Sequence, residues 1–246
     1  MKTLPEFTNV VFREDPQLAD RCKLDVYLPE NQESFPTLIW FYGGGMVEGE
    51  KHLPPGLEDQ GVAVVTPNYR LSPQTTHPGY IEDAAAAVAW TFENCASFGG
   101  DPDRVFIGGL SAGAYLASMV QLDKNWLAPY GIDPDRSLGL IALSGQLITH
   151  FTIRQEQGIP AHHVIVDELA PLRFVRADAP PICLITGDRD LELLARYQEN
   201  AYFQAILTLA GHQQNELHEL PGKDHGGVEP GGLIHSLNFI RKYDRV

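Results

Sequence analysis

Short apolar runs rich in β-branched and aromatic residues recur along the chain, separated by turns that contain glycine and proline. From the third run onward they are nearly continuous, as expected for strands covered on both faces. The first two alternate more and favour an exposed antiparallel edge. The pattern predicts eight strands, at residues 8–13, 23–28, 37–42, 62–68, 105–110, 138–143, 182–187 and 216–220.

Helical segments fall between the later strands. An alanine-rich helix is predicted over residues 80–98, and further helices over 114–120, 191–209 and 233–243. Strands that alternate with helices build a parallel, doubly wound sheet with right-handed crossovers. We therefore predict an α/β fold with a mostly parallel eight-stranded sheet and helices on both faces.

Residues 150–176 interrupt this alternation with little clean periodicity. A long irregular insertion after a strand is often functional, so we interpret it as a lid or pocket wall. The sequence has no internal repeat, low-complexity tract or linker between domains. Residues 1–246 are predicted to form one domain.

The composition of the chain limits the kinds of partner that it is expected to bind. The 246 residues carry a formal net charge of −14, which argues against nucleic acid and anionic membranes as partners. Solubility is the simplest reason for the charge. The three cysteines lack metal-site or redox spacing, and no apolar run resembles a signal peptide or a membrane span. A cytoplasmic location is predicted, although a removed signal stays open.

The most informative motif is Gly109-Leu110-Ser111-Ala112-Gly113, which lies between a predicted strand and a predicted helix. A serine between two glycines at such a turn is typical of a nucleophile elbow. The glycines remove side chains that would collide with neighbouring backbone. Ser111 is therefore the candidate nucleophile.

A serine hydroxyl needs a base, and the base needs a third group to orient it. His225 follows the last predicted strand, where loops line the active crevice of an open α/β sheet. His212 and His218 are weaker candidates, and His162–His163 lack a third metal ligand at a recognisable spacing. The acid is expected after the preceding strand.

Either Asp188 or Asp190 is chemically suitable as that acid. Asp188 directly follows the strand, where the alternative role is to brace the turn. Asp190 precedes the next predicted helix, where the alternative role is to cap it. The chain order of nucleophile, acid and base is that of the α/β hydrolases. For the oxyanion of a tetrahedral intermediate, backbone N–H groups of Gly43, Gly44 and Ala112 are the candidate donors.

These motifs resemble the α/β-hydrolase superfamily, and within it serine carboxylesterases with a His-Gly-Gly-Gly oxyanion motif. That group includes the hormone-sensitive-lipase-like enzymes and the small feruloyl- and acetyl-esterase-like enzymes. Residues 68–73 and 98–104 resemble further family segments, and the family's Gly-x-x-Asp arrangement favours Asp190 as the acid. Two departures stand out: Tyr42 replaces the family histidine, and the N-terminal cap is reduced or absent.

The resemblance implies a serine carboxylesterase that needs no metal or cofactor and acts on a small-molecule ester. Tyr42, Met46, Leu110 and Tyr115 flank the predicted site and are expected to form a short acyl pocket. Short-chain esters of neutral or aromatic alcohols are the expected substrates. An arylformamidase-like amide hydrolase and a non-catalytic ligand-binding protein remain alternatives, and the oligomeric state stays open.

Overall fold

The computed structural model describes residues 5–244 except 16, 31, 33 and 161. Eight strands form one sheet in the order β1-β2-β4-β3-β5-β6-β7-β8. The strands are β1 (Phe7–Val11), β2 (Lys23–Tyr27), β3 (Phe35–Phe41), β4 (Ala63–Pro67), β5 (Gly100–Leu110), β6 (Gly139–Leu143), β7 (Ile182–Gly187) and β8 (Asn215–Leu220). All eight predicted strands are therefore confirmed.

The direction of the strands follows the apolar pattern. β1 and β2 pair antiparallel, as do β2 and β4, and every other neighbouring pair is parallel. Every residue of β3, β4, β6 and β7 is buried, whereas β1 is mostly exposed. Helices cover the central strands on both faces, so these strands contain few polar positions.

In the described part of the chain, five α-helices connect and cover the strands: α1 (Gly79–Asn94), α2 (Ala112–Leu122), α3 (Phe151–Glu156), α4 (Arg196–Ala210) and α5 (Val228–Tyr243). Apolar residues of α1, α2 and α4 belong to one core cluster, and those of α5 belong to a second. No helix within the described residues has both the length and the apolar character of a membrane span.

The largest differences from the predicted helix boundaries are at the starts of α4 and α5. α4 begins at Arg196 rather than at residue 191, because residues 189–195 form turns that end at Ala195 with a φ of 65°. α5 begins at Val228 rather than at residue 233. Pro230 lies in its first turn, where proline costs no helical hydrogen bond. A side chain at Gly232 would come within 2.5 Å of Leu143, so glycine permits α5 to pack closely on the sheet.

The irregular stretch 150–176 packs against the body of the domain. It contains α3 and a single 3₁₀ turn at Pro171–Phe174. The Thr152 hydroxyl donates to the carbonyl oxygen of Gly45, and the Leu172 N–H donates to Leu147 O at 2.9 Å. These bonds attach the segment to the loops that follow β3 and β6.

Candidate active site

Ser111 occupies a tight turn between β5 and α2. Its backbone has φ 55° and ψ −116°, a conformation that L-residues rarely adopt, and its N–H donates to Leu143 O at 2.8 Å. A side chain at Gly113 would lie 2.1 Å from Phe41 O, and one at Gly109 would lie 2.5 Å from the Gly113 backbone. Only glycine fits at either position, and the turn holds the serine hydroxyl at the carboxyl edge of the sheet.

His225 lies in the loop between β8 and α5, beside Ser111. Its Nε2 is 2.9 Å from Ser111 Oγ, which is hydrogen-bonding distance. The loop is held by the Gly227 N–H, which donates to Asp224 Oδ1 at 2.7 Å. The imidazole can therefore accept the serine proton without any rearrangement of the chain.

The acid that contacts His225 is Glu192. Its Oε2 lies 3.0 Å and its Oε1 3.2 Å from His225 Nδ1, and its side chain is only 1% exposed. Glu192 directs the Nδ1 proton toward itself, which leaves Nε2 free to accept from Ser111.

The expectation that Asp190 is the acid must be corrected. The chain turns back after β7, and the backbone N–H groups of Leu191 and Glu192 both donate to Asp188 O. This turn leaves Asp190 exposed on its outer side and directs Glu192 inward. Asp188 braces the turn, because its carboxylate accepts from Gly222 N at 2.7 Å and from Asp190 N at 3.0 Å. Glu192 is not among the acids predicted from the sequence, which were Asp188 and Asp190.

Ser144 is a fourth member of the network, and it was also not predicted from the sequence. Its hydroxyl contacts Glu192 Oε1 and lies 3.2 Å from His225 Nδ1. It directly follows β6 with a φ of 53°, and its carbonyl oxygen accepts from the buried Arg196 guanidinium. A polar residue immediately after an apolar strand next to the nucleophile strand was the available signal.

The surroundings of Glu192 keep it ionised. Burial by itself raises the pKa of a carboxyl group, but hydrogen bonds from His225 and Ser144, with the charge of His225, outweigh burial and lower the pKa to about 2. Glu192 is therefore a carboxylate at neutral pH, as a residue that stabilises an imidazolium must be.

The glycine loop after β3 runs beside the nucleophile. A side chain at Gly43 would lie 3.2 Å from Ser111 Cβ, and Gly44 has a φ of 110° with Glu48 O in the space of its missing side chain. Ala112 is the first residue of α2, where N–H groups lack helical partners. Backbone N–H groups of all three predicted donors thus belong to segments that adjoin Ser111.

Tyr42 is embedded in a bracing network. Its hydroxyl accepts from Arg21 Nη2 at 2.7 Å, and the same nitrogen donates to Gly49 O at 2.7 Å. Its ring stacks on Tyr69 with centroids 4.5 Å apart, and the Tyr69 hydroxyl donates to Tyr42 O at 2.9 Å. Arg21 thereby links the chain before β2 to both ends of the glycine loop.

An open cleft of about 380 Å³ lies above Ser111. Its lining residues are Tyr42, Gly43, Gly44, Gly49, Glu50, His52, Leu110, Ser111, His225, Gly226 and Glu229. Tyr42 and Leu110 line it as expected, but Met46 and Tyr115 do not. Both are completely buried in the core, where the Tyr115 hydroxyl donates to Leu169 O at 2.7 Å.

The cleft is acidic. Glu50 is exposed at its edge, and burial raises the pKa of the half-buried Glu229, with His52 acting in the opposite direction. Arg70, which lies in the family-like segment 68–73, is held by Asp83 through bonds of 2.8 and 2.9 Å. Arg70 therefore serves an internal ion pair.

The other histidines have different surroundings. His212 is buried, with Nε2 3.0 Å from Ala179 O. His162 and His163 are exposed and pack edge to face. His218 lies within β8, with Nε2 3.4 Å from Glu216 Oε1. Among these, none replaces His225 beside Ser111.

Comparisons with known proteins find esterases that are similar to this chain in sequence and in fold. Residues 24–132 match the BD-FAE family model. Esterase LipQ of Mycobacterium tuberculosis is 30% identical over 213 residues, which are 77% of this chain and 50% of LipQ. The chain spans about half the length of the curated relatives it matches.

Solved structures share the whole fold. A truncated carbohydrate esterase from gut microbiota superposes with a TM-score of 0.81 at 20% identity, covering 99% of this chain and 98% of that one. A bacterial heroin esterase superposes with a TM-score of 0.72 at 24% identity, covering 98% and 84%. The sheet order, the nucleophile turn and these likenesses show that the chain has the α/β-hydrolase fold.

Proposed function

We propose that this protein is a serine carboxylesterase that acts through an acyl-enzyme. The observation that carries the proposal is the continuous contact from Ser111 Oγ to His225 Nε2 at 2.9 Å and from His225 Nδ1 to Glu192 at 3.0 Å. The names of LipQ and of the gut and heroin esterases support ester hydrolysis as the reaction.

Each residue has one role in the proposed reaction. Ser111 attacks the ester carbonyl carbon while His225 takes the hydroxyl proton, and Glu192 stabilises the resulting imidazolium. Backbone N–H groups of Gly43, Gly44 and Ala112 hold the oxyanion. His225 then returns the proton to the leaving alcohol. Water releases the acid by the same steps, with His225 again as base.

The cleft favours short acyl groups. Among its lining residues, Tyr42 and Leu110 supply the larger apolar side chains, because Met46 and Tyr115 are enclosed in the core. A buried methylene contributes about 0.8 kcal/mol only where an apolar wall receives it. Acetate to butyrate esters are therefore the proposed substrates, and we expect little action on long-chain lipids.

The charge of the cleft favours neutral or aromatic alcohols. Glu50 and Glu229 line the cleft, and an anionic leaving group would meet both carboxylates in a partly desolvated site. Residues 150–176 do not line this cleft, and in this proposal they form a fixed support for the glycine loop. The bond from Thr152 to the glycine loop and the packing of Phe151 against Gly45 support that role over that of a moving lid.

A labelled fluorophosphonate and a panel of aryl esters from acetate to palmitate test the proposal. We expect labelling of Ser111 and a specificity constant that falls beyond butyrate. Ser118→Ala is the matched control, because Ser118 lies on α2 with its hydroxyl bonded to Ala114 O. A protein that is folded but neither labelled nor active on any ester would refute the proposal.

The same assay distinguishes the outcomes that concern only the substrate. A specificity constant that rises toward palmitate would reject the short acyl pocket and make residues 150–176 a lid. Faster turnover of formyl-kynurenine than of every ester would indicate an amide hydrolase with the same triad.

A further inference from the structure

The last strand carries polar side chains where the packing predicts apolar ones. In β8, Leu217 packs against the core cluster that includes α4, whereas Leu220 belongs to the cluster of α5. Side chains alternate along a strand, so Glu216 and His218 share the α5 face with Leu220. Both are only partly exposed beneath the C-terminal helix. A half-buried acid and histidine at such positions require an explanation in terms of their partners.

Their neighbours provide a compact group of donors. Glu216 pairs in register with Cys183 of β7, whose side chain is completely buried. His218 Nε2 lies 3.4 Å from Glu216 Oε1. From α5, the His235 ring stacks on His218 with centroids 4.2 Å apart, and Lys242 Nζ lies 2.9 Å from Glu216 Oε2.

We propose that Cys183, Glu216 and His218 form a binding site for a divalent transition-metal ion of the zinc class. One donor atom from each residue lies within 4.8 Å of the other two. Sulfur, nitrogen and oxygen are the donors that zinc takes in proteins, at about 2.3, 2.0 and 2.1 Å. No ion is needed to bring the three residues together, because two adjacent strands already do so.

The adjustment needed for binding is small. Tetrahedral bonds of the lengths above separate the donor atoms by roughly 3.5 Å, so donors at the outer limit must close by about 1 Å. Cys183 is fixed within the sheet, whereas Glu216 and His218 keep partial access to solvent. Rotation of these two side chains supplies the movement, and water completes the coordination.

Metal binding would remove the proton of Cys183 and replace the ion pair between Glu216 and Lys242. Burial and the carboxylate of Glu216 raise the pKa of the Cys183 thiol, so the thiol carries its proton before binding. The metal takes the sulfur electron pair and releases that proton to solvent, because thiolate is the binding form. Lys242 leaves Glu216 as the ion arrives, and His235 supports the ring of His218 by stacking.

The ion would act as a clip rather than as a catalyst. The triad acid Glu192 follows β7, and the base His225 follows β8. Coordination of one ion by Cys183 of β7 and by Glu216 and His218 of β8 would link these two strands beneath α5. This inference stands independently of the proposed ester hydrolysis.

Cobalt titration of the tag-free, chelator-treated full chain tests the site. We expect one equivalent of Co²⁺ to bind with a thiolate-to-cobalt charge-transfer absorption. Cys183→Ser should remove this absorption, and His218→Gln should weaken binding at least ~10-fold. Cys95→Ser is the matched control, because Cys95 is a buried free cysteine in a different part of the core.

Thermal unfolding gives a second readout. Zinc should raise the melting temperature of the wild type and of Cys95→Ser, and the same zinc concentration should raise that of His218→Gln less, because that variant binds more weakly. The absence of a thiolate band in the wild type, or its persistence in Cys183→Ser, would overturn the site. If Cys183→Ser fails to fold, the partly exposed His218→Gln decides alone. Fluorophosphonate labelling of the same samples reports the serine site separately.

Discussion

The two halves of the candidate triad differ in how tightly the backbone defines them. The nucleophile turn, from β5 to α2, contains two glycines. A Cβ atom at either one would lie less than 3 Å from neighbouring backbone atoms. The acid turn, from β7 to α4, contains Asp188, Asp190 and Glu192 on one short stretch of irregular chain. The nucleophile turn therefore requires glycine at fixed positions on either side of the serine. The acid turn has three carboxylates within five positions, and its local sequence does not show which of them contacts His225.

The difference shows where a motif carries geometric information. At the elbow, close backbone contacts restrict residue types, so the spacing of Gly109, Ser111 and Gly113 reports the structure directly. At the acid turn, any carboxylate that reaches His225 suffices. Its identity depends on the course of the turn, which local sequence does not specify. The family-model match covers residues 24–132, which include the nucleophile turn but neither the candidate acid nor the candidate base.

Removing the nucleophile should give the largest effect. We expect Ser111→Ala to lower turnover of an aryl acetate by up to about a million-fold, because residues of a triad act as a unit. Fluorophosphonate labelling should disappear, while the circular dichroism spectrum stays that of the wild type. Activity near that of Ser118→Ala in a folded sample would place the nucleophile elsewhere.

Exchanging the acids tests the other half of the comparison. Glu192→Gln keeps the shape of the side chain but removes the charge and the acceptor that fix the His225 tautomer, so turnover should fall about ten-thousand-fold. Asp190→Asn is the matched control on the same turn and should retain most of the activity, because Asp190 is exposed. Steady-state kinetics of both variants measure the difference.

The reverse result would be equally informative. A severe loss in Asp190→Asn with an active Glu192→Gln would mean that the acid turn rearranges when substrate binds. It would also restore the acid that the family pattern favours.

The fold was more predictable than the site. Apolar runs of four to seven residues predict the strands because burial on both faces leaves few alternatives. The start of α4 was missed because Leu191 and Leu193 extend the apolar pattern into residues that form turns. Met46 and Tyr115 lie near the site residues in sequence, but both side chains pack into the core. Their orientation depends on tertiary contacts, which the sequence spacing alone does not reveal.

Ser144 should have an intermediate effect on the acid side. Ser144→Ala removes one hydrogen bond to the Glu192 carboxylate, a contact of about 1.5–3 kcal/mol, so turnover should fall roughly ten- to hundredfold. Ser144 does not belong to the lining of the cleft, so KM should change little. An unchanged turnover would show that His225 and the Leu193 N–H, which donates to Glu192 Oε2 at 2.6 Å, position Glu192 without Ser144. A raised KM would indicate a disturbed cleft instead.

The smallest effect is expected at Tyr42, on the nucleophile side. Tyr42→Phe removes the acceptor of Arg21, but Arg21 keeps its bonds to Gly49 O and Tyr69 O, and the ring keeps its stack on Tyr69. Turnover should fall by less than ~10-fold, far below the 10²–10³ that follows loss of an oxyanion donor. Thermal unfolding and turnover should be measured together. A loss of turnover beyond a hundredfold without a lower melting temperature would mean that the tyrosine hydroxyl contacts the reacting ester. The tight nucleophile turn would then contain a catalytic group besides Ser111.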